Sequence, residues 1–259
     1  MQEQKIIGRR EGAVGHVVFN NPAKLNAVSL DMWDGFVSIL KDFAQDPEIR
    51  CLVVSGSGGK AFVSGADISK FESERANAEA QVRYDAISKE GYEALYDFPK
   101  PTIAKITGYC IGGGMNLAAC CDLRYCNEGA RFGVPAAKLG LGYGFLRIER
   151  FSRIVGLPRA MEFLFTAKQY SSREAYDMGL VHGVAADAEL DAMVDGITAQ
   201  RPGCPDVPRK EPTPSKALVI EDLGGVLPPS LAEACITRRP ADWTEAKLRL
   251  QRVREGVVV

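Results

Sequence analysis

The sequence predicts an α/β fold with largely parallel strand pairing. Cys51-Leu52-Val53-Val54 is a short, wholly apolar run, the pattern of a strand buried on both faces of a sheet. Strand-like runs alternate with helix-like segments along the first 200 residues, as βαβ connectivity requires. The β-branched run Pro101-Thr102-Ile103-Ala104-Lys105-Ile106 leads to three consecutive glycines, Gly112, Gly113 and Gly114, and then into an apolar helix over 115–121. Glycine permits positive φ and close approach of another group to the backbone. The helix behind it directs unpaired N–H groups and its positive dipole end at the same spot. Such a turn can hold an anion, or an oxygen that becomes one during a reaction. It can equally be a tight strand-to-helix turn with no ligand.

In chain order, Val14-Gly15-His16-Val17-Val18-Phe19 reads as a strand closed by the turn signal Asn20-Asn21-Pro22. Ser29 is a candidate N-cap, with Asp31 and Asp34 in the first turn and Leu30, Trp33, Val37, Leu40 and Ala44 at helical spacing. After the strand at 51–54, a glycine-rich loop at 56–59 leads to 61–68, and an amphipathic helix is expected over about 78–96. Leu123 and Tyr125 mark a strand beyond the glycine unit, followed by Ala130-Arg131-Phe132-Gly133-Val134-Pro135. Ser171-Ser172-Arg173-Glu174 fits a capping box, opening a helix that stops at Gly179. Pro202, Pro205, Pro208, Pro212 and Pro214 break regular structure beyond Gln200, and helical patterns resume at 215–223, 231–236 and 243–253. The expected division is a core over 1–200 and a C-terminal helical oligomerisation region over 201–259 with a proline-rich connection.

At 259 residues the chain can bury a sizeable core, and 46% hydrophobic with 25% charged residues is ordinary for a globular protein. A formal net charge of −1 gives no electrostatic reason to expect nucleic acid or a membrane surface as partner. No apolar run approaches the ~20 residues that span a bilayer, and the start lacks the apolar segment of a signal peptide. Cys110, Cys120, Cys121 and Cys126 lie in or beside apolar stretches and suit a reducing compartment, with the cytoplasm as the expected location. His16 and His182 are isolated, so neither a metal site nor a Ser-His-Asp triad is expected.

Two loops are built alike, Ser64-Gly65-Ala66-Asp67 following one buried run and Gly112-Gly113-Gly114 following another. The motifs N-P-x-x-x-N-A at 21–27, A-F-x-x-G-A-D at 61–67, and G-x-x-x-G-G-G at 108–114 with Cys121-Asp122 are specific. With Phe132-Gly133-x-Pro135 and Leu139-Gly140-Leu141, they resemble the crotonase (enoyl-CoA hydratase/isomerase) superfamily over roughly 14–184. The resemblance implies a crotonase-like spiral of ββα units with closing helices, and a homotrimer or a hexamer made of two trimers. It implies an acyl-CoA thioester as substrate, with coenzyme A part of that substrate and no separate cofactor. The thioester carbonyl would sit between the backbone N–H groups of Ala66 and Gly113, a single such donor being worth about 2.7–4 kcal/mol. Adenine and pantetheine would lie along Lys24, Leu25, Ala27, Ala66, Asp67 and Ile68, with Lys24 as candidate phosphate contact.

The resemblance also shows what is missing. A hydratase of this family carries two glutamates, and their positions are held here by Asn116 and Ala136. General acid–base catalysis typically contributes about 10²–10⁴-fold, and neither an amide nor a methyl group supplies it. The stretch 135–144, PAAKLGLGYG, resembles the methylmalonyl-CoA decarboxylase branch, where loss of CO₂ generates the enolate without a base. Tyr143 matches the tyrosine that orients the substrate carboxylate there, and Ser64 is a second polar candidate. This chain departs from that branch in having Ala66 where it has histidine, and in one extra residue within 136–138. Asp67 is read as a turn residue and Asp122 as structural, while Asn116 remains a candidate to hold a water or a substrate group. The reading is an acyl-CoA lyase of this family acting through an enolate, its reaction not standard hydration, with decarboxylation of the methylmalonyl-CoA decarboxylase kind and a non-catalytic acyl-CoA-binding protein as the alternatives. An RNA-binding role is disfavoured by the near-neutral charge.

Overall fold

The computed structural model describes residues 4–67, 78–139 and 143–199. Ile68 and everything expected beyond Gln200 lie outside the described residues. Six strands form the larger sheet in the order β1 (Ile6–Glu11), β2 (Val14–Phe19), β3 (Cys51–Gly56), β5 (Thr102–Ile106), β7 (Leu123–Asn127), β10 (Gly183–Ala185). Only the β1–β2 hairpin in that sheet is antiparallel. A smaller sheet runs β4 (Ala61–Val63), β6 (Tyr109–Ile111), β8 (Arg131–Gly133), β9 (Gln169–Ser171), parallel except at β8–β9.

The chain alternates between the sheets. The first helix, α1 (Leu30–Gln45), follows Ser29 as expected and buries Met32, Trp33, Phe36, Val37 and Leu40. After it, a strand in the larger sheet is followed by one in the smaller sheet and then by a helix: β3–β4–α2 (Ala78–Tyr96), β5–β6–α3 (Gly113–Cys120), β7–β8–α4 (Phe145–Val155). This is the ββα spiral of the crotonase fold. The capping box at Ser171 and Glu174 opens α6 (Ser172–Asp177) after α5 (Leu157–Thr166), and α7 (Leu190–Ala199) closes the described chain. Phe19, Trp33, Phe36, Phe62, Leu95, Leu117, Phe132 and Phe163 share one buried cluster between the layers. Among the described residues no helix is long and apolar enough to cross a membrane, and Cys51, Cys110, Cys120, Cys121 and Cys126 are buried free thiols.

Two sets of buried polar contacts hold the elements that carry the glycine turns. Asn26, fully buried at φ 56°, donates through Nδ2 to the carbonyls of Ser57 (2.9 Å) and Ala61 (2.7 Å). Its Oδ1 accepts from the Asn21 N–H at 2.9 Å, and Asn21 Nδ2 donates to the Ala27 carbonyl at 3.0 Å. The N-P-x-x-x-N-A motif is thus a clasp that pins the 21–27 loop to β4. Asparagine is among the few residues that enter the left-handed region readily. At the other end of α3, buried Arg124 donates to the carbonyls of Cys121 (2.6 Å) and Leu180 (2.7 Å). Asp122 Oδ2 accepts from the Thr102 N–H at 2.8 Å, which gives it the structural role expected of it.

Replacing Asn26 by alanine removes the donor from two carbonyls and puts a Cβ-bearing apolar residue at positive φ. Urea unfolding of Asn26→Ala is expected to show a loss of roughly 2–4 kcal/mol; a loss below about 0.5 kcal/mol would show that the loop holds without the clasp.

Candidate active site

The two glycine loops meet. Val28 donates its N–H to the Gly65 carbonyl (2.8 Å) and accepts from the Asp67 N–H (3.0 Å), forming a single parallel bridge opposite Ala66. Backbone groups alternate sides along an extended segment, so the Ala66 N–H and C=O face away from Val28. In the second loop Gly112, at φ 54°, donates to the Gly133 carbonyl at 2.8 Å, and α3 begins at Gly113. The first turn of a helix leaves its N–H groups without intrahelical partners. A methyl group on Gly113 would lie 3.4 Å from the Gly65 Cα, and one on Gly65 would lie 3.7 Å from the Gly113 nitrogen. A methyl on Gly114 would lie 2.1 Å from the Val63 carbonyl oxygen, so only glycine lets the helix start there. Ala66 and Gly113 are both half-buried, and neither N–H has a hydrogen-bond partner among the described residues.

Behind this pair lies a polar cluster. Asn116, buried on the first turn of α3, accepts at Oδ1 from the Tyr143 hydroxyl at 2.8 Å, and that hydroxyl is also 3.2 Å from the Gly112 carbonyl. Tyr92, on α2, donates to the Gly113 carbonyl at 3.3 Å. The Arg147 guanidinium, on α4, lies over both rings, its Cζ 5.1 Å from the Tyr92 centroid and 6.0 Å from that of Tyr143. Burial pushes both phenols well above their ordinary value, with the Arg147 charge acting in the opposite direction. Burial likewise raises the Cys110 thiol, which leaves it inert as a nucleophile.

The other sequence candidates divide. Ala136 is buried in the short 3₁₀ turn Pro135–Leu139, whose Pro135 ring faces Gly112, so the second glutamate position holds a methyl beside the glycine loop. The Ser64 hydroxyl is turned to the Lys24 carbonyl at 3.4 Å, which makes it a tie between loops rather than a group facing Ala66 and Gly113. Lys24 Nζ pairs with the buried Asp67 carboxylate at 2.9 Å, so both belong to an ion pair joining the 21–27 and 64–67 loops. The lysine side chain remains 45% exposed at the rim of the site. Leu25 is on the surface at φ 51° and Ala27 is buried. Sequence reasoning missed Tyr92 and Arg147. The four-residue spacing from Tyr143 to Arg147 at a helix start was the available signal for the second. Among the described residues no cluster of metal-ligating side chains occurs.

The buried phenols make a spectroscopic prediction. In an alkaline absorbance titration to about pH 11, past the ordinary tyrosine value near 10, Tyr92 and Tyr143 stay un-ionised. Tyr92→Phe and Tyr143→Phe therefore leave the phenolate signal of the folded protein unchanged. A signal reduced by one tyrosine in either variant would contradict the burial argument.

Comparison with known proteins agrees with this architecture. A family model described as enoyl-CoA hydratase/isomerase matches residues 9–198. The chain is 34% identical over 190 residues to a short-chain-enoyl-CoA hydratase of Clostridium acetobutylicum, covering 73% of this chain and 72% of that one. It is 35% identical over 207 residues to a peroxisomal Δ(3,5)-Δ(2,4)-dienoyl-CoA isomerase of Arabidopsis thaliana, covering 74% of each. Among solved structures, an enoyl-CoA hydratase/carnithine racemase from Magnetospirillum magneticum superimposes with a TM-score of 0.74 at 32% identity, covering 98% of this chain and 94% of that one. The sheet order, the paired glycine loops and the extent of these matches lead to one conclusion: this chain belongs to the enoyl-CoA hydratase/isomerase family.

Proposed function

We propose that the protein acts on an acyl-CoA thioester by stabilising its enolate between the N–H groups of Ala66 and Gly113, and that it forms this enolate by decarboxylation rather than by hydration. The observation that carries the reading is the pairing of two uncommitted, closely placed backbone donors with a buried amide, Asn116, and a methyl, Ala136, where a hydratase needs carboxylates. Fixed donors aimed at a developing oxyanion lower the barrier without reorganising. Hydration also needs a group that activates water, and the Asn116 amide, hydrogen-bonded to Tyr143, is not a base at neutral pH. Loss of CO₂ leaves its electron pair on the α-carbon, so no base is required. The Tyr143 ring and hydroxyl, beside Gly112, supply a wall and a hydrogen bond for the departing carboxylate.

Coenzyme A enters this proposal as part of the substrate, along Lys24, Leu25, Ala27 and Asp67. Assembly into a trimer, or a dimer of trimers, belongs to the same proposal. The exposed stripe of Leu157, Met161 and Phe165 on α5 supports it as a face for a second copy to cover.

The test is purified protein against crotonyl-CoA and methylmalonyl-CoA in parallel, following loss of enoyl absorbance and release of CO₂. The expected result is CO₂ release that falls about 10- to 100-fold in Tyr143→Phe, corresponding to loss of one strong hydrogen bond, with crotonyl-CoA turned over slowly or not at all. Rapid hydration of crotonyl-CoA would overturn the argument from Asn116 and Ala136. Tight binding of both esters with turnover of neither would favour a non-catalytic acyl-CoA-binding protein.

A further inference from the structure

We propose that Tyr143 is the proton donor to the α-carbon of the enolate, and that Arg147 is a positioning residue that offsets the charge left on the phenol. This rests on the enolate reading above. When the bond to the carboxylate carbon breaks, its electron pair passes into the enolate and CO₂ leaves. The enolate α-carbon must then take one proton. Neither position that holds an acid in the hydratases carries one here. Two side-chain O–H groups reach the glycine loop, Tyr143 at the Gly112 carbonyl and Tyr92 at the Gly113 carbonyl. Tyr92 is buried and Tyr143 half-buried, so Tyr143 is the one open to a bound thioester. The α-carbon of a bound thioester is one bond from the carbonyl carbon those donors flank. In the proposed step the Tyr143 O–H bond breaks, the new α C–H bond forms, and the phenolate is reprotonated by water.

A thioester enolate is a far stronger base than a phenolate, so a weak acid is sufficient. Burial keeps the Tyr143 proton in place through the neutral range. The cost falls on the phenolate, which is a buried charge. Asn116 is already hydrogen-bonded to that oxygen, and its amide can present Nδ2 to it by a flip. Arg147 supplies the positive charge. It is half-buried, it lies over both phenol rings, and it has no carboxylate partner among the described residues. Arg153 on the same helix, by contrast, pairs with Glu149 at 2.8 Å. The titratable and charged groups acting on Tyr143 among the described residues are Tyr92 from α2, Cys110 from β6 and Arg147 from α4, and Arg147 alone favours the phenolate by its charge.

Run in reverse, the same step removes an α-proton, so it can be tested without decarboxylation. Propionyl-CoA is incubated with enzyme in D₂O between about pH 7 and 10, and deuterium at the α-carbon is followed by NMR. CO₂ release from methylmalonyl-CoA is measured on the same preparations. The wild-type exchange rate should rise about tenfold per pH unit, as the phenolate fraction does below its pKa. Tyr143→Phe should lose about 100-fold or more of it, in the range of general acid–base catalysis. Arg147→Gln should lose about tenfold at fixed pH with little change in KM, and Arg147→Lys should recover part of that loss. Exchange that is pH-independent, absent in the wild type, or equal in Tyr143→Phe would overturn the proposal. CO₂ release with such exchange would leave the decarboxylation reading standing. Exchange dependent on Tyr143 without CO₂ release would support the proton donor and remove decarboxylation.

Discussion

The site depends on how closely two pieces of backbone approach each other. A Cβ on Gly114 would lie 2.1 Å from the Val63 carbonyl oxygen, and one on Gly113 would lie 3.4 Å from the Gly65 Cα. At Gly114 no side chain can be interposed, so there the end of β4 and the start of α3 touch through main chain alone. That contact sets Gly65, the neighbour of Ala66, against Gly113, and the Ala66 and Gly113 N–H groups have no hydrogen-bond partner among the described residues. The rest of the described fold serves this approach. The larger sheet supplies a rigid floor, the smaller sheet carries both strand ends in parallel, and the Asn21–Asn26 clasp holds the loop that bridges to Ala66 through Val28. Arg124 and Asp122 fix the far end of α3, so the helix cannot retreat from β4.

Around that frame the chemistry differs from the two-carboxylate arrangement of the hydratases. The polar groups behind the glycines are an amide, a buried phenol, a half-buried phenol and a guanidinium, and the carboxylate beside Ala66, Asp67, is paired with Lys24. Under the proposed reading, a site made this way holds an oxyanion without activating water. Hydrogen bonds from Tyr92 and Tyr143 to the carbonyls of Gly113 and Gly112 stiffen the loop. A preorganised donor is worth more than a mobile one in an environment that excludes water.

What could be read from the sequence followed from length and local chemistry. The strands at 14–19 and 51–56 and the helix at 78–96 are long enough for burial patterns to show, and the Ser171–Glu174 box is a local signal. Three-residue strands such as Ala61–Val63, Tyr109–Ile111 and Arg131–Gly133 are too short to establish a period, so the smaller sheet was not visible as a sheet. β1 was missed because it is a mostly exposed edge strand containing Arg9 and Arg10. The apolar helix behind the glycines begins at Gly113, two residues earlier than expected, because glycine lowers helix propensity and here the tight packing against Val63 overrides it. The motifs pointed to both glycine loops and to Tyr143, whose hydroxyl the structure places at the Gly112 carbonyl. Tyr92 and Arg147 were not legible, because each sits on an ordinary helix and gains its meaning only when tertiary packing brings Tyr92 to Asn116 and Arg147 over the Tyr92 ring.

The central claim is that two backbone amides polarise a thioester carbonyl. The most direct measurement is isotope-edited infrared difference spectroscopy of propionyl-CoA labelled with ¹³C at the carbonyl, free and bound. Hydrogen bonds from Ala66 and Gly113 would weaken the C=O bond and move its stretch to lower frequency on binding, with a narrower band because the environment is fixed. A bound carbonyl whose band matches that of the free ester in water, in position and width, would contradict the account.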